Sequence, residues 1–241
     1  MYDIHCHILP DVDDGARNWD IAVKMCAMAW QDGIKHIVAT PHANDNYFYD
    51  RIYLEEVLEQ LRQRTGGKPE LSLGCDFHFN FENIQDALAN PTKYSIGRTP
   101  YILIEFSDYS LPPSVDENLA KLMTIGLRPI LTHPERNPIL QKSPARVVEW
   151  VRAGSIVQVT ANSLTGRWGK KADAAARWLF DQNAVHVVAT DAHSLESRPP
   201  ILSAAWEEIR KMADNMVADA LTILNPKAII QGLPIPFRPS V

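Results

Sequence analysis

The chain has 241 residues, of which 46% are hydrophobic and 22% are charged, so one large domain spanning residues 1–241 can bury a substantial core. Its formal net charge of -5 argues against a nonspecific nucleic-acid binder, which carries a basic surface. The 3 scattered cysteines are too few for a disulfide framework, and no apolar stretch is long enough to span a bilayer. With a strand-like run already beginning at Tyr2, there is no room for a signal peptide, so we expect a cytoplasmic protein without direct membrane insertion.

Apolar runs rich in β-branched residues predict strands separated by segments of helical period. The expected strands are 2–8, 34–40, 71–77, 101–106, 128–133, 156–160 and 185–190. After the first strand, Asn18 is the predicted N-cap of a helix that continues to Gln31 and is stopped by Gly33. Later helices are predicted to end at glycines in the same way, at Gly66, Gly67, Gly126 and Gly154.

Strands that alternate with helices predict parallel pairing with right-handed crossovers. About seven such units fit a barrel better than an open sheet. The ending, residues 225–241, is rich in proline and predicts a segment without regular structure that wraps the surface or trails off.

Residues able to bind metal end almost every predicted strand. They are His5, His7 and Asp14 at the first, His42 at the second, Asp76 at the third, Glu105 at the fourth, His133 at the fifth, and Asp191 and His193 at the seventh. The carboxyl ends of the strands of a barrel converge on one face, so these side chains are expected to share one bowl.

Side chains alternate along a strand, so His5 and His7 share a face, as do Asp191 and His193. Imidazole and carboxylate without thiolate suit manganese, iron or zinc in an open site, and the number of such groups indicates two or three ions. Taken alone, a His-x-His pair is a weak signal, and residues 11–15 are equally typical of a turn.

The motifs "DIHCHILPDVDDG", "TPH", "LGCDFH", "LIEF", "THPER" and "TDAHSLESRPP" occur in this order. With them the chain resembles the polymerase-and-histidinol-phosphatase (PHP) superfamily. It is most similar to the manganese-dependent protein-tyrosine phosphatases found with bacterial capsule and exopolysaccharide genes, from Tyr2 to about Gln231. The resemblance implies a distorted (β/α)7 TIM-like barrel whose metal centre lies at the carboxyl ends of the strands.

The resemblance also implies a ligand set. It assigns His5, His7 and Asp191 to one ion, Glu105 and His133 to a second with Asp76 bridging the two, and Asp14, His42 and His193 to a third. The family usually has glutamate where this chain has Asp76, and residues 43–50 are less basic than expected from relatives. The first departure affects the spacing of the metal ions, and the second affects the preference for substrate.

Phosphomonoester hydrolysis needs a nucleophile and neutralisation of the phosphoryl oxygens. Metal-bound water supplies the first. Arg136 and Arg198 follow predicted ligands closely enough to contact phosphate from the rim, and a loop salt bridge is the alternative role of Arg198. None of the three cysteines has an arginine six positions later, so the Cys-x5-Arg pattern of the thiol phosphatases is absent from the sequence.

Aromatic residues follow two of the predicted ligands, namely Tyr47, Phe48 and Tyr49 after His42, and Tyr109 after Glu105. They can line an aryl phosphate site or pack loops onto the barrel. Trp168, in the loop after the sixth strand, is a further candidate for the rim, without an assigned role.

The leading hypothesis is a metal-dependent protein-tyrosine phosphatase. Its implied substrate is the phosphotyrosine-rich tail of a bacterial tyrosine kinase that controls polysaccharide synthesis. Two alternatives remain: a phosphoesterase for a small phosphomonoester such as histidinol phosphate, and a catalytically silent metal-binding regulatory module.

Overall fold

A computed structural model describes residues 1–239 of the chain. Strands and helices alternate along most of it, as the sequence predicts. The strands are β1 (Tyr2–Cys6), β2 (His36–Ala39), β3 (His42–Ala43), β4 (Glu70–Leu73), β5 (Asp76–His78), β6 (Tyr101–Glu105), β7 (Arg128–Thr132), β8 (Ile156–Thr160) and β9 (Val187–Ala189). The helices are α1 (Trp19–Gln31), α2 (Arg51–Thr65), α3 (Phe81–Ala89), α4 (Val115–Thr124), α5 (Ala145–Arg152), α6 (Ala161–Leu164), α7 (Lys170–Asp181), α8 (Ser203–Met212), α9 (Asn215–Asp219) and α10 (Asn225–Ile230).

The strands form two parallel sheets, with the orders β1-β2-β4 and β3-β5-β6-β7-β8-β9. One of the predicted strands, 71–77, was therefore wrong as a continuous unit, whereas β2 lies within the predicted strand 34–40. A break between β2 and β3 falls at Pro41, which has no N–H to donate to a ladder. The predicted strand 71–77 breaks at Gly74, where an added Cβ would lie 2.9 Å from Val38 Cγ1. At each break the chain passes from the first sheet to the second.

Backbone contacts link β1 to the segment after β9. Asp191 N donates to His5 O and His7 N donates to Ala192 O, both at 2.8 Å. An isolated parallel bridge joins Cys6 to Ala192. The described strands thus form an α/β fold whose two parallel sheets meet along the end of the strands where the polar residues lie.

Alternating side chains of the strands divide the core in two. Ile4, Leu103, Ile130, Ile156 and Val187 belong to an inner cluster, and all are 0–1% exposed. The larger cluster contains the opposite faces of the strands and the apolar faces of the helices. Burial on both faces explains why the strands appear in the sequence as continuous apolar runs.

Helix ends follow the predicted local chemistry. The Asn18 side chain accepts from Ile21 N and α1 ends at Gln31, which confirms the predicted cap and length. Gly33 has a φ of 92° and Gly66 a φ of 61°, values that glycine adopts without the steric cost borne by other residues. No helix within residues 1–239 is long and apolar enough to cross a membrane.

The prediction of an irregular ending was wrong for its first part, because Asn225–Ile230 is the helix α10. Pro226 lies in the first turn, where its missing N–H costs no hydrogen bond. The Asn225 side chain then donates to His186 O and Phe237 O, each at 2.8 Å, and accepts from Phe237 N. These contacts fix the following segment against the start of β9.

Candidate metal centre

The strand register brings the polar ends of neighbouring strands together. His42 of β3 pairs with Asp76 of β5, and His78 of β5 pairs with Glu105 of β6. His133 directly follows β7 and Asp191 lies two residues after the end of β9, with φ values of 34° and 50° that are uncommon for residues other than glycine. The backbone thus turns sharply just past these two strands and carries both side chains at the carboxyl ends.

All nine residues predicted as ligands lie in groups whose potential ligand atoms are within 4.8 Å of one another. The groups are His7 with Asp14, His42 and His193; His5 with His7 and Asp76; His5 with His133 and Asp191; and His42 with Asp76 and Glu105. Because several residues belong to two groups, the arrangement suits more than one cation within a shared set of ligands.

Pairs of residues that the family resemblance assigns to the same ion lie close together. Asp191 Oδ1 lies 3.4 Å from His5 Nε2 and 3.5 Å from His7 Nε2. Asp14 Oδ1 lies 3.4 Å from Nε2 of both His42 and His193. A further pair, Glu105 Oε1 and His133 Nε2, is separated by 3.6 Å.

The donor set fits a bound cation, because buried polar atoms at its centre lack partners. Asp76 is 1% exposed, and neither of its carboxylate oxygens has a hydrogen-bond partner among residues 1–239. His42 Nδ1 lies 3.3 Å from Asp76 Oδ2 and is likewise without a hydrogen bond in that part of the chain. Leaving such groups unpaired is costly, and cation coordination would satisfy them.

Two residues outside the predicted set orient the imidazoles. Asp13 Oδ2 accepts from His7 Nδ1 at 2.7 Å, and Gln158 Oε1 accepts from His5 Nδ1 at 2.9 Å. Each contact uses Nδ1 and directs Nε2 toward the cluster, where the two Nε2 atoms lie 3.2 Å apart, and such outer contacts orient the ligands of many metal sites. The one sequence signal for Gln158 is an amide within the apolar run "IVQVT".

The carboxylates of the cluster favour positive charge at its centre. Burial opposes a charged His5, but the carboxylates of Asp76 and Asp191 raise the pKa of its imidazole to about 9. Burial likewise opposes a charged His42, but its contact with Asp14 and the charge of Asp76 raise that pKa to about 10. Without a cation these imidazoles hold protons, which a metal would displace on binding.

A pair of arginines contacts the outer side of Asp191. Arg136 Nη1 and Arg198 Nη2 both donate to Asp191 Oδ2, the latter at 2.6 Å, while Oδ1 faces the imidazoles. Burial would raise the pKa of Asp191, but Arg136, His5 and Arg198 hold it well below its ordinary value. The arginine side chains are 19% and 22% exposed, so solvent-borne ligands can contact them. Arg198 does form a salt bridge, but its partner is Asp191 within the cluster.

The aromatic residues near the cluster divide into two kinds. Tyr49 is 3% exposed and its hydroxyl donates to Gly74 O, so it packs the loop. The Tyr47 ring stacks on His42 with centroids 5.9 Å apart. Phe48 is 88% exposed and Tyr109 is 95% exposed, so both side chains extend into solvent.

The two parallel sheets and the imidazoles and carboxylates at the strand ends define a parallel α/β protein with a candidate metal centre. The chain belongs to the capsular polysaccharide synthesis family CpsB/CapC, whose model matches residues 1–231. The tyrosine-protein phosphatase YwqE of Bacillus subtilis (strain 168) is 36% identical over 203 residues, which cover 82% of this chain and 79% of that protein. The tyrosine-protein phosphatase CpsB of Streptococcus pneumoniae is 27% identical over 239 residues, covering 95% and 98%.

Solved structures agree with this assignment. A chain from the crystal structures of YwqE from Bacillus subtilis and CpsB from Streptococcus pneumoniae, described as unique metal-dependent tyrosine phosphatases, matches with a TM-score of 0.92. Its sequence is 31% identical, and the match covers 100% of both chains. The phosphotriesterase homology protein from Escherichia coli matches with a TM-score of 0.58 at 13% identity, over 91% and 94% of the two chains, and shares the fold alone.

Proposed function

We propose that this protein is a metal-dependent protein-tyrosine phosphatase. The observation that carries the proposal is the juxtaposition at Asp191, whose Oδ1 faces the imidazole cluster while Oδ2 accepts from two arginines. One buried carboxylate would thereby join a cation site to a phosphate-binding pair of arginines. The family relatives named as tyrosine phosphatases support the substrate class.

The proposed ligands are the nine residues that form the close groups: His5, His7, Asp14, His42, Asp76, Glu105, His133, Asp191 and His193. We propose two or three divalent ions, with manganese as the native metal and iron or zinc as substitutes. Bound cations would supply a hydroxide nucleophile near neutral pH and neutralise charge on the phosphoryl group.

The chain's own residues would bind and orient the substrate. Arg136 and Arg198 would donate to the phosphoryl oxygens, since forked guanidinium donors match their geometry and stay charged. Tyr47, which stacks on His42, would contact the aryl ring of phosphotyrosine. Asp13 and Gln158 would keep two imidazoles in the ligating tautomer.

We further propose that residues 1–241 form one phosphatase domain with a distorted (β/α)7 barrel, in which β3 and β5 continue the barrel positions of β2 and β4. The proposed substrate is a phosphotyrosine-bearing bacterial tyrosine kinase of capsule or exopolysaccharide synthesis. A cytoplasmic location is proposed from the three buried free thiols and the kinase partner.

The test is hydrolysis of a phosphotyrosine peptide by metal-stripped protein before and after addition of manganese. A phosphoserine peptide and histidinol phosphate serve as competing substrates. Manganese-dependent activity selective for phosphotyrosine supports the proposal. Turnover of histidinol phosphate alone would retain the centre and refute the substrate, and metal binding without any turnover would indicate a silent regulatory module.

A further inference from the structure

One indole contacts both arginines of the cluster. The Arg136 Cζ lies 3.8 Å from the centre of the Trp168 ring and the Arg198 Cζ lies 5.3 Å from it. Both guanidinium groups also donate to Asp191. We propose that Trp168 is a positioning residue that holds the two arginines ready for the phosphoryl group. This inference rests on the proposed function, and it concerns the same site.

Stacking on an aromatic face is well suited to preparing a phosphate site. A guanidinium group that lies over a ring keeps its N–H donors in its own plane and free for an anion. Long arginine side chains otherwise lose substantial conformational freedom when a ligand fixes them. An indole that fixes them in advance removes part of that cost from binding.

The loop that carries Trp168 is tied to the loop that carries Arg136. Trp168 N donates to Asn162 O at 3.2 Å, which joins it to the helix α6. Ser163 in that helix donates to Glu135 Oε1 at 2.7 Å, and Glu135 is 1% exposed. The loops that carry the indole and its nearer arginine are thus linked through the buried carboxylate of Glu135.

Core packing gives Trp168 no competing role. Within the part of the chain that the structure describes, the partly buried Trp19, Trp178 and Trp206 pack against the larger hydrophobic cluster, and Trp168 belongs to neither cluster. Two residues with positive φ, Gly166 and Gly169, flank it closely. Its ring is therefore held in a tight loop outside the core, where its aromatic contacts are with the arginines.

The experiment compares Trp168→Ala, Trp168→Phe and Trp19→Ala as manganese-loaded enzymes. Trp19 is the matched control, because its ring also stacks on an arginine, Arg64, at 4.0 Å. The measured quantities are KM and kcat for a phosphotyrosine peptide, the inhibition constant of inorganic phosphate, and the melting temperature. Binding of inorganic phosphate is also measured directly by calorimetry.

We expect Trp168→Ala to raise KM and the phosphate inhibition constant about tenfold, which is within the range expected for loss of cation–π contacts. Phenylalanine, which retains an aromatic face, should recover most of the loss. Trp19→Ala should leave both constants at the wild-type value. In an Arg136→Ala, Arg198→Ala background, removing the indole should cause no further weakening of phosphate binding.

Three results would overturn the inference: a change of less than about twofold in the phosphate constant of Trp168→Ala, an equal loss in Trp168→Phe with unchanged folding, or a loss that persists without the arginines. Failure of the proposed function is distinguishable. Wild-type protein would then bind inorganic phosphate but not hydrolyse phosphotyrosine, and the calorimetric comparison would still test Trp168.

Discussion

Replacement of Asp13 by asparagine tests how the chain prepares His7 for a metal. The Asp13 carboxylate accepts from His7 Nδ1 at 2.7 Å and from His42 N at 3.2 Å through Oδ2, and from Gly15 N at 2.9 Å through Oδ1. An amide has one oxygen, so the donors on one side of this group must then face an NH2 group. Either the Gly15 N–H loses its acceptor or His7 moves its proton to Nε2, the nitrogen that lies 3.5 Å from Asp191 Oδ1.

The cost follows from the buried position of this contact. A buried donor without a partner costs about 1–3 kcal/mol, and loss of an outer-shell partner of a ligating histidine costs about 10–100-fold in metal affinity. We therefore expect Asp13→Asn to weaken manganese binding by about 30-fold with the fold intact.

Titration calorimetry on metal-stripped protein measures this directly, and circular dichroism checks the fold. Asp11→Asn is the matched control, because Asp11 lies in the same loop, is exposed, and has a φ of 57° that asparagine tolerates. An unchanged affinity in Asp13→Asn, or an equal loss in both variants, would show that the Asp13 contact does not orient His7 for binding.

Three other substitutions test neighbouring parts of the structure. Gln158→Leu removes the acceptor of His5 Nδ1 and should weaken manganese binding roughly tenfold in the same titration; wild-type affinity would contradict this. Gly15→Ala places a Cβ 2.1 Å from His7 O, so urea unfolding should show a loss on the order of 2 kcal/mol or more, and a wild-type midpoint would mean that the loop adapts. Burial lowers the pKa of His186 to about 4, below its ordinary value of 6.5. Stability from the neutral imidazole is therefore present above pH 6.5 and lost as the pH falls toward about 4, by up to about 3 kcal/mol. His186→Gln should flatten that slope in metal-free urea unfolding, and an unchanged slope would assign it to other groups.

The sequence predicted the position of the site because strand ends are local features. An apolar run followed by histidine or a carboxylate is visible without knowledge of the fold, and convergence follows from parallel pairing. The alternation of strand and helix was visible for the same reason, as was the cap at Asn18, which depends on a contact only three residues away.

The residues that support the site were not visible, since their partners are distant in the chain. Gln158 and His5 are separated by 153 positions and meet only when β8 and β1 have been placed. Glu135 similarly depends on the approach of α6 to the loop after β7. The break at Gly74 arises from close packing against Val38, which periodicity does not report. Helix α10 was missed because proline content outweighed the apolar spacing in the local pattern.

The breaks at Pro41 and Gly74 also affect the local stability of the rim. His42 belongs to a strand of two residues that pairs only with the three-residue β5 among the described strands. Such short ladders open at low free-energy cost, whereas β2 and β4 pair over four residues each. In metal-free protein we expect amide hydrogens of residues 42–43 and 76–78 to exchange faster than those of β2 and β4, and manganese to slow the first set selectively. Equal protection of both sets without metal would contradict this. Metal supply would then determine how rigid the mouth of the site is, while the rest of the scaffold keeps the stability of its own core.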